Sequence, residues 1–150
     1  MIKFKQISSN LVPMTLLLEA DPSEDCINKY LKDSICLGAF DNNELVGICV
    51  SKQLSDSIVE IYNITIEPQY QQQGIGSQLL QYVLNELVLM GYSQVELGTG
   101  TFCYQLSFYQ RHGFRVDAIL KDFFVDNYDE EIYENGIQHK DMLRLVCRLF

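Results

Sequence analysis

The stretch that decides the fold is residues 60–81, EIYNITIEPQYQQQGIGSQLLQ. Its first seven residues alternate and are rich in β-branched and aromatic side chains, which predicts a strand. The alternation predicts two faces, one with Glu60, Tyr62, Ile64 and Ile66 and the other with Ile61, Asn63 and Thr65. Pro68 ends the strand, and apolar residues at helical spacing run from Ile75 to a stop at Gly91. A strand therefore passes through a Gln-rich turn into a long helix.

The junction between strand and helix is suited to binding an anion. A helix begins with backbone N–H groups that lack intrahelical partners, and its dipole adds positive potential there. Gly74 and Gly76 have no Cβ, so a phosphate can approach the main chain closely, and Ser77 offers a hydroxyl. A bare Gly-x-Gly is also typical of an ordinary tight turn. Two nucleotide motifs are excluded, because no Lys-Ser/Thr pair follows the glycines and the third glycine of a dinucleotide motif is missing.

Two segments together are more specific than the glycines alone. Residues 64–68 and 71–76, ITIEP and QQQGIG, resemble the acetyl-CoA motif of the GCN5-related N-acetyltransferase (GNAT) family, Q/R-x-x-G-x-G/A after a strand. Residues 108–114, FYQRHGF, are similar to the FYxxxGF segment of the same family. The resemblance covers at least Ser57 to Phe114. It implies an acyltransferase whose co-substrate is acetyl-CoA.

The remaining sequence predicts an α/β fold. Strand patterns occupy residues 2–7, 34–40, 44–54, 94–98, 114–125 and 140–149, and helix patterns occupy residues 11–20, 21–33 and 104–112. Asp21 is the expected N-cap of the second helix, Gly47 marks a candidate bulge, and residues 126–136 read as an acidic loop. With the resemblance, this order predicts a mixed, mostly antiparallel sheet of about seven strands. Helices would cover both faces, and the sheet would splay open at the acetyl-CoA site.

Composition limits the class of protein. A chain of 150 residues suits one domain over residues 1–150, and no signal peptide or membrane span is evident, which favours a cytoplasmic enzyme with no membrane partner. The net charge of −9 argues against nucleic acid and favours a cationic partner. Five cysteines without CxxC spacing predict reduced packing residues and no metal site.

Acetyl transfer to an amine needs an oxyanion donor, a general acid and a base. The resemblance implies that Tyr109 protonates the leaving thiolate and that a backbone N–H near Ile66 holds the oxyanion. Read without the family, Phe108 and Tyr109 are typical core residues. Glu60 and Glu96 are both candidate bases; either could instead pair with a nearby Lys or Arg, and an ordered water could replace both.

The coenzyme is expected to contact the strand end, the glycine turn and one later loop. These cofactor-binding residues are Ile64, Thr65, Ile66, Gln71, Gln72, Gln73, Gly74, Ile75, Gly76, Ser77 and Thr101. Two of the expected contacts depart from the family pattern. The three glutamines bring no positive charge to the pyrophosphate, and Thr101 stands where many members have an asparagine for the pantetheine arm.

Three functions fit these residues. The first is transfer of acetyl to the primary amine of a small cationic acceptor or peptide, by direct attack in a ternary complex. The second is acetylation of protein N-termini or lysines, and the third is a coenzyme A binding or sensing module without turnover. The apolar segment 142–147 could pair across a two-fold axis in a homodimer, although a central strand within one chain would have the same composition.

Overall fold

The computed structural model describes residues 1–150. Its strands are β1 (Ile2–Ile7), β2 (Ile35–Asp41), β3 (Glu44–Gln53), β4 (Ile58–Ile66), β5 (Gln94–Gly100), β6 (Arg115–Leu120), β7 (Tyr133–Glu134), β8 (Ile137–Gln138) and β9 (Met142–Arg148). Its helices are α1 (Met14–Leu17), α2 (Glu24–Leu31), α3 (Ile75–Leu89), α4 (Tyr104–Arg111) and α5 (Phe123–Asn127). None of these helices has the length and apolar character needed to cross a membrane.

Seven strands form one sheet in the order β1-β2-β3-β4-β5-β9-β6, while β7 and β8 form a separate hairpin. Within the large sheet only β4 and β5 pair in parallel, and the other neighbours are antiparallel. The predicted mixed, mostly antiparallel sheet is therefore confirmed. Strand β9 lies between β5 and β6, so the apolar C-terminal segment is a central strand within one chain and both of its edges are already paired.

Two hydrophobic clusters cover opposite faces of the sheet. Helix α3 buries its apolar stripe against the larger cluster, whose members include Leu79, Leu80, Val83 and Leu87. Helices α1 and α2 pack on the other face, where Leu16, Leu17, Ile27 and Tyr30 are buried with β3 residues. The expected arrangement of helices on both faces is present. All five cysteines are free, in agreement with their predicted role as reduced residues.

The predicted faces of β4 are wrong beyond Tyr62. The register with β3 shifts between the pairs Val50↔Asn63 and Ser51↔Ile61, so Tyr62 is the extra residue of a β-bulge. Tyr62 and Asn63 both contact the α1–α2 side, through Tyr30. Ile64 and Ile66 pack against the α3 cluster, on the same side as Ile61. A strict two-residue alternation cannot anticipate this switch.

Three element boundaries also differ from the sequence prediction. The helix expected over residues 11–20 is only the single turn α1, because Pro13 stands at its N-cap in extended conformation. The N-cap of α2 is Ser23, whose hydroxyl accepts from Cys26 N; Asp21 instead accepts from the Ser23 backbone N–H. The strand expected over residues 114–125 ends at Leu120 and is followed by α5, and the acidic loop contains β7, which pairs with β8 just after the loop.

Two bulges and one gap shape the middle of the sheet. The β2–β3 register shifts next to Gly47, which confirms the bulge predicted there. More important for a site, β4 and β5 pair only from Ile58↔Gln94 to Ile61↔Leu97. Beyond these pairs β4 continues to Ile66 and β5 to Gly100 without a partner between them. The sheet is thus splayed open at the predicted place.

Candidate active site

A cavity of about 1170 Å³ occupies the gap between β4 and β5. It extends from the first turn of α3 on one side of the sheet to the α1–α2 connection and α5 on the other. Its lining combines the strand backbone, aromatic side chains of α4 and several charged residues. A cleft of this size between diverging strands can hold an extended ligand whose two ends emerge on opposite faces.

The free edge of β4 presents backbone groups to this gap. Glu67 N donates to Val46 O at 2.8 Å, so at this position the chain bonds to β3. Since neighbouring residues of a strand point their backbone groups in opposite directions, Ile64 and Ile66 direct their N–H groups away from β3 and into the gap. The Ile66 carbonyl accepts from Gln71 Nε2 at 2.9 Å, which shows its direction. The oxyanion donor predicted at Ile66 therefore faces the cleft.

The first turn of α3 borders the same gap. Gly74 is the N-cap with φ of 81°, a left-handed conformation that a side chain would strain. A Cβ on Gly76 would meet Ile66 Cγ1 at 3.8 Å, an ordinary contact, so the packing of the protein alone does not require a glycine here. The helix thus opens with exposed backbone donors and free space in front of them, as an anion site requires.

The glutamine run has a structural role in the turn. Gln71 Nε2 donates to Ile66 O, and Gln73 Nε2 donates to Gln69 O at 3.2 Å. Gln72 adopts a positive φ of 61°, which turns the chain toward the helix. These amides hold the loop that presents the glycines. None of them supplies the positive charge that an arginine or lysine would bring.

His112, which the sequence analysis did not single out, lies beside the first turn of α3. His112 Nε2 lies 3.3 Å from Ser77 Oγ, because the C-terminus of α4 packs beside the first turn of α3. Burial lowers the pKa of His112, and neighbouring Arg111 lowers it further. The two residues are 35 positions apart, and no spacing rule connects them. Only the packing of α4 against α3 brings the imidazole to the first turn of α3, the end of the cleft suited to an anion.

Tyr109 lines the cavity, as its expected role requires. Its ring packs edge-on against Phe108 and Phe114 at centroid distances of 5.4 and 5.8 Å, which fixes its orientation. Burial raises the pKa of Tyr109 well above its usual range, and the nearby Cys49 and Tyr104 raise it further. The phenol is therefore protonated at neutral pH. It has no hydrogen-bond partner within the protein, which leaves its proton available to a ligand.

The two candidate bases differ in position. Glu60 lines the cavity, and its Oε2 lies 3.0 Å from Arg144 Nη1 on β9. Both side chains are largely buried, and no N–H of Nη1 is aligned for a hydrogen bond, so the contact is an ion pair without linear geometry. Glu96 accepts from Gln94 Nε2 at 2.9 Å and does not line the cavity. Glu60 therefore has the arginine partner that the sequence analysis gave as an alternative to a base. Of the two candidate bases, Glu60 is also the one that faces the cleft.

A buried polar network forms the cavity wall opposite the first turn of α3. Asp21 accepts from the hydroxyls of Tyr30 and Tyr128, each at 3.0 Å. Asn63 donates to Tyr30 Oη and to Leu17 O, and it accepts from Thr65 Oγ1 at 2.7 Å. The Thr65 hydroxyl is therefore engaged inside the protein. Because Tyr128 follows α5 and Asp21 precedes α2, their bond joins two walls of the cavity.

Three of the residues expected to bind the cofactor do not line the cavity: Gln73, Ile75 and Thr101. Ile75 is buried in the core beneath the helix, and Thr101 is exposed just beyond the end of β5. The other predicted contacts, from Ile64 through Ser77, lie along the cleft. The structure thus assembles one strand edge, one helix terminus and one phenol around a single gap.

Comparison with known proteins identifies the family of this chain. Residues 32–116 match the family model described as acetyltransferase (GNAT) domain. A Bacillus subtilis (strain 168) protein described as an uncharacterized N-acetyltransferase, YvbK, is 44% identical over 135 residues, which are 89% of this chain and 87% of that protein.

Two crystal structures are similar over nearly the whole chain. A GNAT family acetyltransferase from Elizabethkingia anophelis with acetyl-CoA bound is 39% identical with a TM-score of 0.93, covering 98% of this chain and 97% of that one. A Bacillus subtilis acetyltransferase in complex with CoA is 38% identical with a TM-score of 0.89, covering 100% of both chains. The chain belongs to the GNAT family of acetyltransferases, and it is an acyltransferase of the N-acetyltransferase type.

Proposed function

We propose that this protein transfers the acetyl group of acetyl-CoA to the primary amine of a small cationic acceptor, by direct attack in a ternary complex. The observation that carries the proposal is the splayed gap between β4 and β5. The unpaired Ile66 N–H, the Tyr109 hydroxyl and the exposed first turn of α3 all border it. The resemblance to relatives with bound acetyl-CoA or CoA supports the choice of coenzyme.

In this proposal, the pyrophosphate binds the backbone N–H groups at the first turn of α3, and Ser77 and His112 contribute side-chain donors or acceptors there. The pantetheine arm follows the free edge of β4 and pairs with the backbone groups of Ile64 and Ile66. This pairing is equivalent to adding a strand in the gap. The thioester then lies next to Ile66 N–H and Tyr109.

The chemical step forms one C–N bond and breaks one C–S bond. The neutral amine attacks the thioester carbonyl, and Ile66 N–H stabilises the oxyanion. As the intermediate collapses, Tyr109 gives its proton to the departing thiolate, and solvent later restores that proton. Glu60 takes the proton released by the amine, directly or through water, because it is the candidate base that faces the cleft. Glu96 has no access to this step.

The acceptor end of the cavity supports a small cationic molecule. Four carboxylates line the cavity against three cationic side chains, and the chain carries a net charge of −9. The carboxylates are those of Glu19, Asp21, Glu60 and Glu134, and the cations are Lys29, Lys52 and Arg144. The Tyr128–Asp21 bond joins the two walls, which leaves less room for an extended peptide than an open groove would. Polyamines and amino sugars are therefore the first acceptors to test, with basic peptides as the competing class.

Calorimetric titration with acetyl-CoA is the first experiment, with ATP and NAD as controls. We expect saturable one-site binding selective for acetyl-CoA. A panel of free amines and basic peptides then tests turnover, with acetylated product identified by mass spectrometry. Acetylation of peptides but not of free amines would replace the small-acceptor proposal, and coenzyme binding without any amine-dependent product would indicate a binding or sensing module. Absence of acetyl-CoA binding by a folded sample would refute the proposal.

A further inference from the structure

Three potential metal ligands meet at the acceptor end of the cavity wall. One ligand atom from each of Cys103, Glu134 and His139 lies within 4.8 Å of the other two. His139 Nε2 and Glu134 Oε1 are 2.8 Å apart. The three residues come from the loop before α4, from β7 and from the segment after β8. Glu134 and His139 also line the cavity.

The β7–β8 hairpin carries Glu134, and His139 follows its second strand directly. Its turn residues Asn135 and Gly136 have φ of 53° and 78°, the pair of left-handed residues that a tight two-residue hairpin needs. Tyr133 and Ile137 of the same hairpin are 59% and 56% exposed, so it buries little apolar surface. His139 N donates to Ile132 O at 2.7 Å and closes the hairpin.

Cys103 is held in a conformation that ordinary residues avoid. Its φ is 81° and its ψ is 172°, in a region that is essentially restricted to glycine. A non-glycine residue there is strained, and such strain concentrates at binding and catalytic sites. The side chain is partly buried, and its Sγ lies 3.6 Å from Asn135 Nδ2 of the hairpin turn. The strained backbone therefore directs the sulfur toward Glu134 and His139.

The imidazole of His139 is fixed by aromatic packing. Its side chain is 10% exposed, and Phe102 stacks on it at 4.3 Å with an interplanar angle of 6°. Phe124 packs on it at 5.7 Å, and Gly100 passes so close that a Cβ there would clash with the ring. The Nδ1 atom is buried against Gly100 without a hydrogen-bond partner. Nε2, which lies 2.8 Å from Glu134 Oε1, is the imidazole nitrogen that can bind a cation shared with that carboxylate.

We propose that Cys103, Glu134 and His139 bind a divalent transition-metal cation of the Zn²⁺ class. Sulfur, imidazole nitrogen and carboxylate oxygen are the three donor types that Zn²⁺ takes, and hard cations such as Mg²⁺ and Ca²⁺ disfavour the sulfur. A thiolate and a carboxylate balance the charge of the cation. Three protein ligands leave a fourth position open, the arrangement of zinc sites that also bind a small molecule or water.

The sequence analysis expected no metal because the cysteines lack CxxC spacing. The three ligands are 31 and 5 positions apart, a spacing that matches no known metal motif. The cluster exists only because the hairpin folds back onto the loop after β5. The proposal is independent of the coenzyme site, since neither the coenzyme contacts at α3 nor Tyr109 belongs to the trio; Glu134 is shared with the acceptor end of the cavity.

The test is calorimetric titration of the full chain, without a histidine tag and after chelator treatment, with Zn²⁺. We expect one equivalent to bind. Cys103→Ser, Glu134→Gln and His139→Gln should each weaken binding by about 100-fold or more, since even outer-shell partners contribute about 10–100-fold. Cys26→Ser is the matched control, because Cys26 is another partly buried thiol on the same cavity, bonded to Asn127 O.

Cobalt substitution gives a readout that is specific for a cysteine ligand. Co²⁺ bound by the wild-type chain and by Cys26→Ser should show a thiolate-to-metal charge-transfer band in the near ultraviolet, and Cys103→Ser should lack it. Acetyl-CoA affinity measured on the metal-free chain confirms that each variant is folded and tests the coenzyme site separately. Zn²⁺ binding that is absent, or unchanged in Cys103→Ser and His139→Gln, would overturn the metal site while leaving the acetyltransferase proposal standing.

Discussion

Tyr109 carries the most specific chemical assignment at the scale of single residues. Replacing it with Phe removes one hydroxyl that makes no hydrogen bond within the protein, so the fold should be unaffected. If it is the general acid, kcat should fall by about 100-fold or more while the KM for acetyl-CoA changes little. Steady-state kinetics with the best acceptor measures this. Tyr104→Phe is the control, because Tyr104 is on the same helix and 71% exposed.

The raised pKa of Tyr109 also predicts a pH profile. A raised pKa keeps the phenol protonated to higher pH, so the acid form persists through the neutral range and beyond the ordinary value of about 10. The kcat profile should therefore show no alkaline loss from this residue below about pH 10. Measurement of kcat from pH 6 upward tests it. An alkaline limb near pH 8 that disappears in Tyr109→Phe would contradict the assignment.

Asp21 connects two separate parts of the fold through its hydrogen bonds. It is buried and accepts from two tyrosine hydroxyls that arrive from α2 and from beyond α5. Asp21→Ala would leave both hydroxyls without this acceptor, and the free energy of unfolding should fall by about 2–4 kcal/mol. Urea denaturation measures the loss. The exposed Asp25, in the first turn of α2, gives the matched Asp25→Ala control, which should change stability by less than about 0.5 kcal/mol.

At the scale of elements, substitutions of the two glycines at the strand–helix junction distinguish an effect on stability from an effect on coenzyme binding. Gly74→Ala puts a side chain at φ of 81° and should destabilise the protein by roughly 1–2 kcal/mol. Gly76→Ala meets only ordinary contacts and should leave stability unchanged or raise it by up to about 1 kcal/mol. Its Cβ would nevertheless stand where the phosphate approaches.

We therefore expect Gly76→Ala to weaken acetyl-CoA binding by about tenfold, equivalent to about 1.4 kcal/mol, without loss of thermal stability. Calorimetry and a thermal melt on the same samples provide both values. Unchanged affinity in Gly76→Ala would mean that the coenzyme does not approach the main chain at this turn. Reduced affinity together with reduced stability would point to a packing defect instead.

For the whole molecule, the net charge of −9 should act oppositely on the two proposed substrates. Long-range repulsion disfavours the polyanionic coenzyme and attraction favours a cationic amine, and salt screens both. From about 20 to about 200 mM NaCl, the KM for the amine should rise several-fold, and the association rate of acetyl-CoA should not fall. Stopped-flow binding and steady-state kinetics test the two halves. If the association rate of acetyl-CoA instead fell with salt, local contacts would outweigh the long-range repulsion from the net charge.

The sequence by itself determined that the fold is α/β, that a strand passes through a turn into a helix, and where that helix, α3, begins and ends. These features depend on local patterns: alternation in β4, helical spacing after Ile75, and a stop at Gly91 with φ of 99°. The strand edge and helix terminus proposed to bind the coenzyme could be located for the same reason, since one continuous stretch of chain builds them. Tyr109 could be placed only through the family resemblance, because an aromatic pair before Gly-Phe is equally typical of a core.

Tertiary structure alone decided the rest, because the decisive contacts join distant positions. The bulge at Tyr62 moved Asn63 to the α1–α2 side, and it arises from the pairing of β4 with β3. Arg144 reaches Glu60 only because β9 enters the sheet beside β5. His112 meets Ser77, and Cys103 meets Glu134 and His139, through packing between segments that no spacing rule connects. Local propensity fixes elements; which side chains share a site is set by how those elements pack.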